Sequence, residues 1–253
     1  MFDVTGKVAL VTGAGSGIGR ALAIGFAKEG VKVVVDDIND TTGCETVDLI
    51  KQAGGEAVFI KGDVAKASDA EAMVKLAVDT YGRLDFGLNN AGLGAERTLL
   101  HDVTEESWDY QLDVDLKGIF LCMKYELAQM VKQGQGGAIV NIASGTSLHG
   151  APMMAPYVAS KHGVYGLTKN AGLEYGKQNI RVNAICPGAV NTPALAARQL
   201  TDPVAYQTWC NLSPMGKLVQ PEEIANLALF LCSDLTATLT ASAIVIDGGI
   251  SAI

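Results

Sequence analysis

The chain has 253 residues, of which 49% are hydrophobic and 18% charged, and its formal net charge of −8 gives a pI near 4.9. This acidity, without any basic cluster, argues against a nucleic-acid partner. No apolar run approaches the roughly 18 residues of a membrane span, and Met1 to Thr5 lacks the charged and apolar regions of a signal peptide. We therefore predict a soluble, cytoplasmic protein without a membrane or nucleic-acid partner.

The cysteines and histidines indicate neither a disulfide framework nor a metal site. The five cysteines lie far apart, without paired or metal-like spacing: Cys44, Cys122, Cys186, Cys210 and Cys232. The three histidines show no metal-ligand spacing either. Reduced, mostly buried thiols and no bound metal are predicted.

Short apolar runs alternate with helical patterns along the whole chain, which predicts one α/β domain over residues 1–253. The predicted strands are Lys7–Thr12, Val31–Val35, Ala57–Ile60, Leu84–Leu88, Ala138–Ile142, Arg181–Ile185 and Ala243–Ile246. The predicted helices are Arg20–Glu29, a second one ending near Ala53, Ser68–Tyr81, Thr104–Lys132, Tyr157–Lys177 and Pro221–Leu231. Right-handed crossovers then give a Rossmann-type, doubly wound, parallel seven-stranded sheet with a ligand crevice at the carboxyl ends of its strands.

The first predicted strand leads directly into the glycine-rich run Gly13 to Gly19, and a helix follows. Glycines allow the backbone to approach a ligand closely, and free N–H groups at a helix start attract a pyrophosphate. Such a turn can also be only a tight connection between elements. Between a strand and a helix, it favours nucleotide binding.

The second predicted strand ends in Asp36-Asp37, about twenty residues beyond the glycines. An acidic side chain at this point can accept hydrogen bonds from ribose hydroxyls and repel a 2′-phosphate. No arginine or lysine stands at Ser16 or Ile38 to bind that phosphate. Asp37 is therefore predicted to select NAD over NADP, although a strand end of this kind can also be simply solvated.

Two Tyr-x-x-x-Lys pairs follow one another on one predicted helix, Tyr157/Lys161 and Tyr165/Lys169. One helical turn sets each lysine beside its tyrosine, where an ammonium favours the phenolate and lets tyrosine exchange a proton with a substrate hydroxyl. Eight residues rotate the second pair by roughly 80°, so at most one pair can face a given site. A snorkelling lysine on an amphipathic helix is the structural alternative for either pair.

In combination, these motifs resemble the short-chain dehydrogenase/reductase family along nearly the whole chain. Ser144 lies thirteen residues before Tyr157, the family's usual interval, whereas the same count back from Tyr165 reaches Pro152. The resemblance therefore assigns catalysis to Tyr157/Lys161 and a structural role to the second pair. It also implies that the following residues bind the cofactor: Gly13, Ser16, Gly17, Ile18, Gly19, Asp37, Asp63, Val64, Asn90, Ala91, Gly92, Tyr157, Lys161, Pro187, Gly188, Val190 and Thr192.

The resemblance implies hydride transfer between a nicotinamide cofactor and a carbinol carbon. Tyr157 would carry the proton, Ser144 would hold the substrate oxygen, and Lys161 would bind the nicotinamide ribose. It further implies a homotetramer, because the family usually pairs the helices corresponding to Thr104–Lys132 and Tyr157–Lys177.

One catalytic position departs from the family pattern, because Asp115 stands where an asparagine usually completes the catalytic set. An ionised carboxylate there would keep Lys161 charged but repel a phenolate at Tyr157. We expect a working relay with a pH profile shifted to higher pH. The alternatives are that Asp115 turns away from the site or that it impairs the enzyme.

The resemblance implies that the loop after Ser144 and a lid at about 189–218 form the substrate walls. In this chain they look mostly apolar and include His149, Met154 and, in the lid, Trp209. They favour a hydrophobic or cyclic secondary alcohol or ketone over a sugar or polyol, which stays an alternative. The substrate's identity and stereochemistry and the direction of the reaction stay open. A catalytically silent NAD-binding sensor or scaffold is the alternative from another class, and it predicts loss of proton-handling residues that are all present here.

Overall fold

The computed structural model describes residues 2–252, apart from the side chains of Ala194, Arg198 and Ala205. Seven strands form one parallel sheet in the order β3-β2-β1-β4-β5-β6-β7. Their bounds are β1 Val8–Val11, β2 Lys32–Asp37, β3 Ala57–Lys61, β4 Phe86–Asn89, β5 Gly137–Ile142, β6 Ile180–Pro187 and β7 Ala243–Ile246. The predicted sheet is confirmed, and β2 extends through Asp37 rather than ending at Val35.

Helices cover both faces of the sheet, which is why most strand residues are apolar and buried. The helices are α1 Gly17–Lys28, α2 Asp40–Gln52, α3 Ala67–Tyr81, α4 Glu105–Leu112, α5 Gly118–Gln133, α6 Ala155–Tyr175, α7 Pro193–Thr201, α8 Pro203–Asn211 and α9 Pro221–Cys232. Val33 and Val35 of β2 pack into the core cluster that holds Phe26 of α1. Val34 between them packs into the opposite cluster, with Met73 of α3.

The order of strands reverses beside β1, because β2 and β3 extend to one side of it and β4 to β7 to the other. Ligands of open α/β sheets bind outside the carboxyl ends of the strands at such a reversal. The glycine-rich turn after β1 lies at this point. The glycine-rich turn therefore lies at the position where sheets of this topology usually bind ligands.

The predicted helix Thr104–Lys132 is divided in the structure. A π-helical turn, Asp113–Lys117, separates α4 from α5 and contains Asp115. Such turns occur often at functional sites. The segment proposed as a lid contains α7 and α8, two helices that the sequence did not predict. No helix within residues 2–252 is both long and apolar enough to cross a bilayer.

Candidate active site

A cavity of about 920 Å³ opens at the carboxyl ends of the central strands. Its volume lies within the usual range of small-molecule and cofactor sites. Most of the predicted site residues line it: Gly13, Ser16, Gly17, Ile18, Asp37, Asp63, Val64, Asn90, Ala91, Gly92, Ser144, Tyr157, Lys161, Pro187, Gly188, Val190 and Thr192. The fold thus brings seventeen residues from distant parts of the sequence to one surface.

The glycine-rich turn after β1 is built for close approach of backbone segments. Gly13 has φ +62°, and a Cβ there would lie 2.9 Å from the Cα of Ala91. At Gly19 a Cβ would lie 2.1 Å from the carbonyl oxygen of Gly13, so this residue serves packing beneath the cavity. Ser16 precedes α1 without a side-chain capping hydrogen bond. This helix start can accommodate a cofactor pyrophosphate.

Asp37 is held at the end of β2 by backbone donors. Its Oδ2 accepts a hydrogen bond from Gly15 N at 2.7 Å, and its Oδ1 accepts one from Asn39 N at 2.9 Å. A carboxylate has about four acceptor sites, so the side chain can still accept from ribose hydroxyls. The nearby Arg20 directs its guanidinium to Thr42 O and Glu45 on α2. The guanidinium of Arg20 is thus engaged with α2, while Asp37 and Lys66 both line the cavity.

Asn90 ties the end of β4 to the glycine turn. Its Nδ2 donates to the carbonyl oxygens of Thr12 and Gly13 at 2.9 and 3.1 Å. In return, Thr12 Oγ1 accepts hydrogen bonds from the backbone N–H groups of Asn90 and Ala91. These four bonds fix the floor on which a cofactor would lie.

The predicted catalytic side chains come from β5 and α6. Ser144 follows β5, and its Oγ accepts a hydrogen bond from Thr146 N at 3.2 Å. The Lys161 Nζ lies 5.5 Å from the ring centroid of Tyr157 and donates to the carbonyl oxygen of Ile142 at 3.3 Å. Lys161 is only 4% exposed, so its charge acts in a poorly solvated environment.

The second tyrosine and lysine lie elsewhere on α6. The Lys169 Nζ stacks 4.0 Å from the ring centroid of Tyr165, and this lysine is exposed to solvent. Neither residue belongs to the described lining of the cavity. The prediction that only one of the two pairs faces the site agrees with this placement.

Asp115 is buried behind the cavity lining and contacts three donors. Its Oδ1 accepts a hydrogen bond from Leu93 N at 2.6 Å, its Oδ2 accepts one from Gln111 Nε2 at 2.9 Å, and Lys161 Nζ lies 3.8 Å from Oδ2. Burial raises the pKa of Asp115, while Lys161 and the two hydrogen bonds act in the opposite direction. A Cβ at Gly92 would lie 3.3 Å from Asp115 Oδ1, so the glycine leaves room for this cluster.

A buried polar network connects α6 with the strands that carry the site. Asn89 Nδ2 donates to Glu126 Oε2 and to Asn141 Oδ1, both at 3.0 Å, and Asn141 Nδ2 donates to Thr168 Oγ1 at 2.9 Å. Burial raises the pKa of Glu126 to about 7. The carboxyl group of Glu126 packs against Gly87, where a Cβ would lie 2.5 Å from its Cδ.

A third buried carboxyl group, that of Asp36, lies beside Asp37. Asp36 is 1% exposed, and its Oδ1 has no hydrogen-bond partner among the described residues. Burial and then the negative charge of Asp37 raise the pKa of Asp36 to about 8. Burial therefore favours the protonated form of Asp36 near pH 7.

Three predicted substrate residues lie outside the described lining of the cavity: His149, Met154 and Trp209. His149 is exposed, and Met154 pairs with Thr98 in a short parallel bridge that joins the loops after β4 and β5. Trp209 is half-buried on α8. These three stay predictions. Within residues 2–252, no cluster of three metal-ligating side chains is found.

Sequence reasoning did not single out several residues of this site. The cavity is also lined by Ile38, Leu93, Gly94, Tyr110 and Val114. Gln111, beneath the lining, was missed too. An i, i+4 spacing to Asp115 was its only signal in the sequence.

Comparison with known proteins matches residues 13–251 to the family described as Enoyl-(Acyl carrier protein) reductase. Cyclohexanol dehydrogenase from Acinetobacter sp. is 43% identical over 242 residues, which cover 96% of this chain and 94% of that protein. The 2,5-dichloro-2,5-cyclohexadiene-1,4-diol dehydrogenase of Sphingobium indicum is 40% identical over 254 residues, the whole of both chains. The crystal structure of levodione reductase superposes with a TM-score of 0.92 at 34% identity and covers 98% of both chains.

The fold, the nucleotide-binding turn and these relatives define an oxidoreductase that uses a nicotinamide cofactor. The chain belongs to the short-chain dehydrogenase/reductase family. The predictions of the family, of the fold and of a secondary alcohol and ketone oxidoreductase are confirmed.

Proposed function

We propose that the protein transfers a hydride between NAD(H) and a cyclic, hydrophobic secondary alcohol or ketone. One cavity is lined by the glycine-rich turn, by Asp37 and by the three proton-handling side chains of Ser144, Tyr157 and Lys161. This shared cavity is the observation that carries the proposal. A silent NAD-binding sensor would not need the three proton-handling side chains. The enzyme is therefore the stronger candidate.

The nicotinamide, when bound, supplies or accepts the hydride. During oxidation, Tyr157 takes the proton of the substrate hydroxyl, and during reduction it donates a proton to the carbonyl oxygen. Ser144 holds the same oxygen by a hydrogen bond and stabilises the charge that develops on it. Lys161 would hold the nicotinamide ribose, and its ammonium would stabilise the phenolate of Tyr157.

Two observations support a cyclic substrate. Both relatives named above act, by their names, on a six-membered carbocyclic alcohol or diol. The described lining of the cavity includes the apolar or aromatic side chains of Leu93, Tyr110 and Val114.

A screen of cyclic secondary alcohols with NAD, followed by NADH absorbance, tests the reaction. We expect turnover of cyclohexanol-like alcohols and little turnover of polyols. Retained NAD binding without turnover of any alcohol or ketone would instead favour the sensor.

The cofactor preference has its own test in Asp37→Ala. The wild type should use NAD(H) more efficiently than NADP(H), and the variant should narrow this preference because the repulsion of a 2′-phosphate is lost. Asp40→Ala, which removes an exposed carboxylate of the following helix, is the matched control. Equal kcat/KM with both cofactors in the wild type would contradict the proposal.

We also propose that the protein is a cytoplasmic homotetramer whose long helices α5 and α6 pair between subunits. Phe120 on α5 and Leu173 on α6 are 47% and 78% exposed, and pairing of these helices would cover them. Light scattering at micromolar concentration should give four times the monomer mass. Leu173→Glu should lower that mass.

A further inference from the structure

We propose that Gln111 is a positioning residue that keeps the carboxylate of Asp115 in an ion pair with Lys161 at 3.8 Å and prevents a direct hydrogen bond between the two. The ammonium then remains available to Tyr157. This inference rests on the proposed function of Tyr157 in proton transfer. It concerns a side chain outside the catalytic pattern, one turn before Asp115 on the helical path from α4 to α5.

The hydrogen bonds of Asp115 carry the proposal. Gln111 and Asp115 are 6% and 0% exposed, and the Gln111 Nε2 donates to Asp115 Oδ2 at 2.9 Å. The backbone N–H of Leu93 holds Oδ1 at 2.6 Å. The Lys161 Nζ stays 3.8 Å from Oδ2, outside hydrogen-bond range, and donates to the carbonyl oxygen of Ile142 at 3.3 Å instead. Two neutral donors therefore hold the carboxylate that the lysine would otherwise contact.

Both oxygens of Asp115 accept from N–H groups, which is the arrangement of a carboxylate rather than of a carboxylic acid. Charge-assisted hydrogen bonds of this kind offset the cost of burying the carboxylate. Without the Gln111 donor, Lys161 is the remaining side-chain partner of Oδ2. Coulomb attraction would then draw the two charges together, because it is strong where water is excluded.

Such contact would weaken the effect of Lys161 on Tyr157. The phenolate is stabilised by a net positive charge nearby, and a carboxylate in contact with the ammonium cancels much of that charge. Two other titratable groups near this cluster do not replace the positive charge that Tyr157 would lose. Cys186 of β6 has its pKa raised by burial and is a neutral thiol. Asp113 is half-exposed and is paired with Lys117.

The test is a double-mutant cycle of Gln111→Met and Asp115→Asn. The measured quantity is the ultraviolet absorbance titration of Tyr157 without cofactor, obtained as the difference from Tyr157→Phe in the same background. We expect Gln111→Met to shift the midpoint upward by about half a pH unit or more. In the Asp115→Asn background the same change should shift nothing, because no carboxylate is left to approach Lys161.

The kinetic counterpart is kcat for alcohol oxidation near neutral pH, which should fall severalfold in Gln111→Met with little change of KM. It should recover when Asp115→Asn is added. Gln133→Leu is the matched control, because this glutamine also makes tertiary hydrogen bonds, to the backbone of Leu84, but lies away from the site. It should leave the Tyr157 titration unchanged. Gln111→Leu serves the same purpose as Gln111→Met if the methionine variant does not fold.

Three results would overturn the proposal: an unchanged midpoint, a downward shift, or an equal shift with and without the carboxylate at position 115. The last would mark a purely structural role of Gln111. An upward, Asp115-dependent shift in a protein that oxidises no alcohol would support the positioning role and reject the proposed function.

Discussion

The two halves of α6 carry the same Tyr-x-x-x-Lys pattern and use it in different ways. In the first half, the Lys161 Nζ lies 5.5 Å from the Tyr157 ring centroid and is drawn inward to the carbonyl oxygen of Ile142. In the second half, Lys169 is exposed and stacks on its tyrosine at 4.0 Å. Neither Tyr165 nor Lys169 belongs to the described lining of the cavity, whereas Tyr157 and Lys161 both line it. Surroundings, and not spacing, therefore decide what the pattern does.

Removal of one tyrosine hydroxyl at a time should give the largest difference in kcat between the two halves of α6. Tyr157→Phe should lower kcat by about 10²- to 10⁴-fold, because it deletes the proton carrier, while NAD affinity stays near the wild-type value. Tyr165→Phe should change kcat by less than about twofold. Steady-state kinetics and cofactor fluorescence measure both quantities. A larger loss in Tyr165→Phe would reverse the assignment of the two pairs.

Replacement of the lysines should give the next largest difference. Lys161→Met should reduce kcat/KM by about 10²- to 10³-fold, since a poorly solvated charge near the reacting oxygen is lost, and should also weaken NAD binding. Lys169→Met removes an exposed cation–π contact worth about 0.5–1 kcal/mol and should leave kinetics unchanged. Equal losses of kcat/KM in the two lysine variants would contradict the different roles assigned to the two halves of α6.

The second half of α6 should instead affect stability, because Thr168 joins it to the network that ends at Glu126. The pKa of Glu126 is about 7 in the folded protein against 4.5 ordinarily. The folded state thus keeps a proton that the unfolded chain releases, and stability falls as pH rises from 4.5 to 7. Glu126→Gln removes this loss of stability. Between pH 4.5 and 8, the free energy of unfolding of the variant should therefore rise relative to that of the wild type by up to about 3 kcal/mol.

Urea unfolding at several pH values measures this gain, and Glu71→Gln, an exposed position of α3, is the control. The pH profile of kcat/KM should not change in Glu126→Gln. A stability difference that is independent of pH would show that Glu126 does not titrate in this window.

Apolar runs, glycine turns and motif spacing predicted the sheet and most of the cavity lining, because those features depend on local sequence and on the parallel topology. The π-helical turn was not predictable, since Thr104–Lys132 has the periodicity of one continuous helix and the extra residue at Asp113–Lys117 leaves no separate pattern. Gln111 was missed for a related reason. Its importance depends on the tertiary approach of Lys161 to Asp115, the carboxylate that Gln111 binds, and that approach leaves no pattern in the local sequence.

Gly87 and Glu126 lie thirty-nine residues apart in the chain but are in contact, so the residue type allowed at one position depends on the residue at the other. Any side chain at 87 would collide with the carboxyl group at 126, where the added Cβ would lie 2.5 Å from Cδ. A residue smaller than glutamate at 126 would leave a void beside β4. A saturation library at 87 alone should therefore return little besides glycine, and one at 126 alone should return mainly glutamate and glutamine, which has the same size. Paired libraries should recover combinations such as Gly87→Ala with Glu126→Ala, so the two sites are expected to covary.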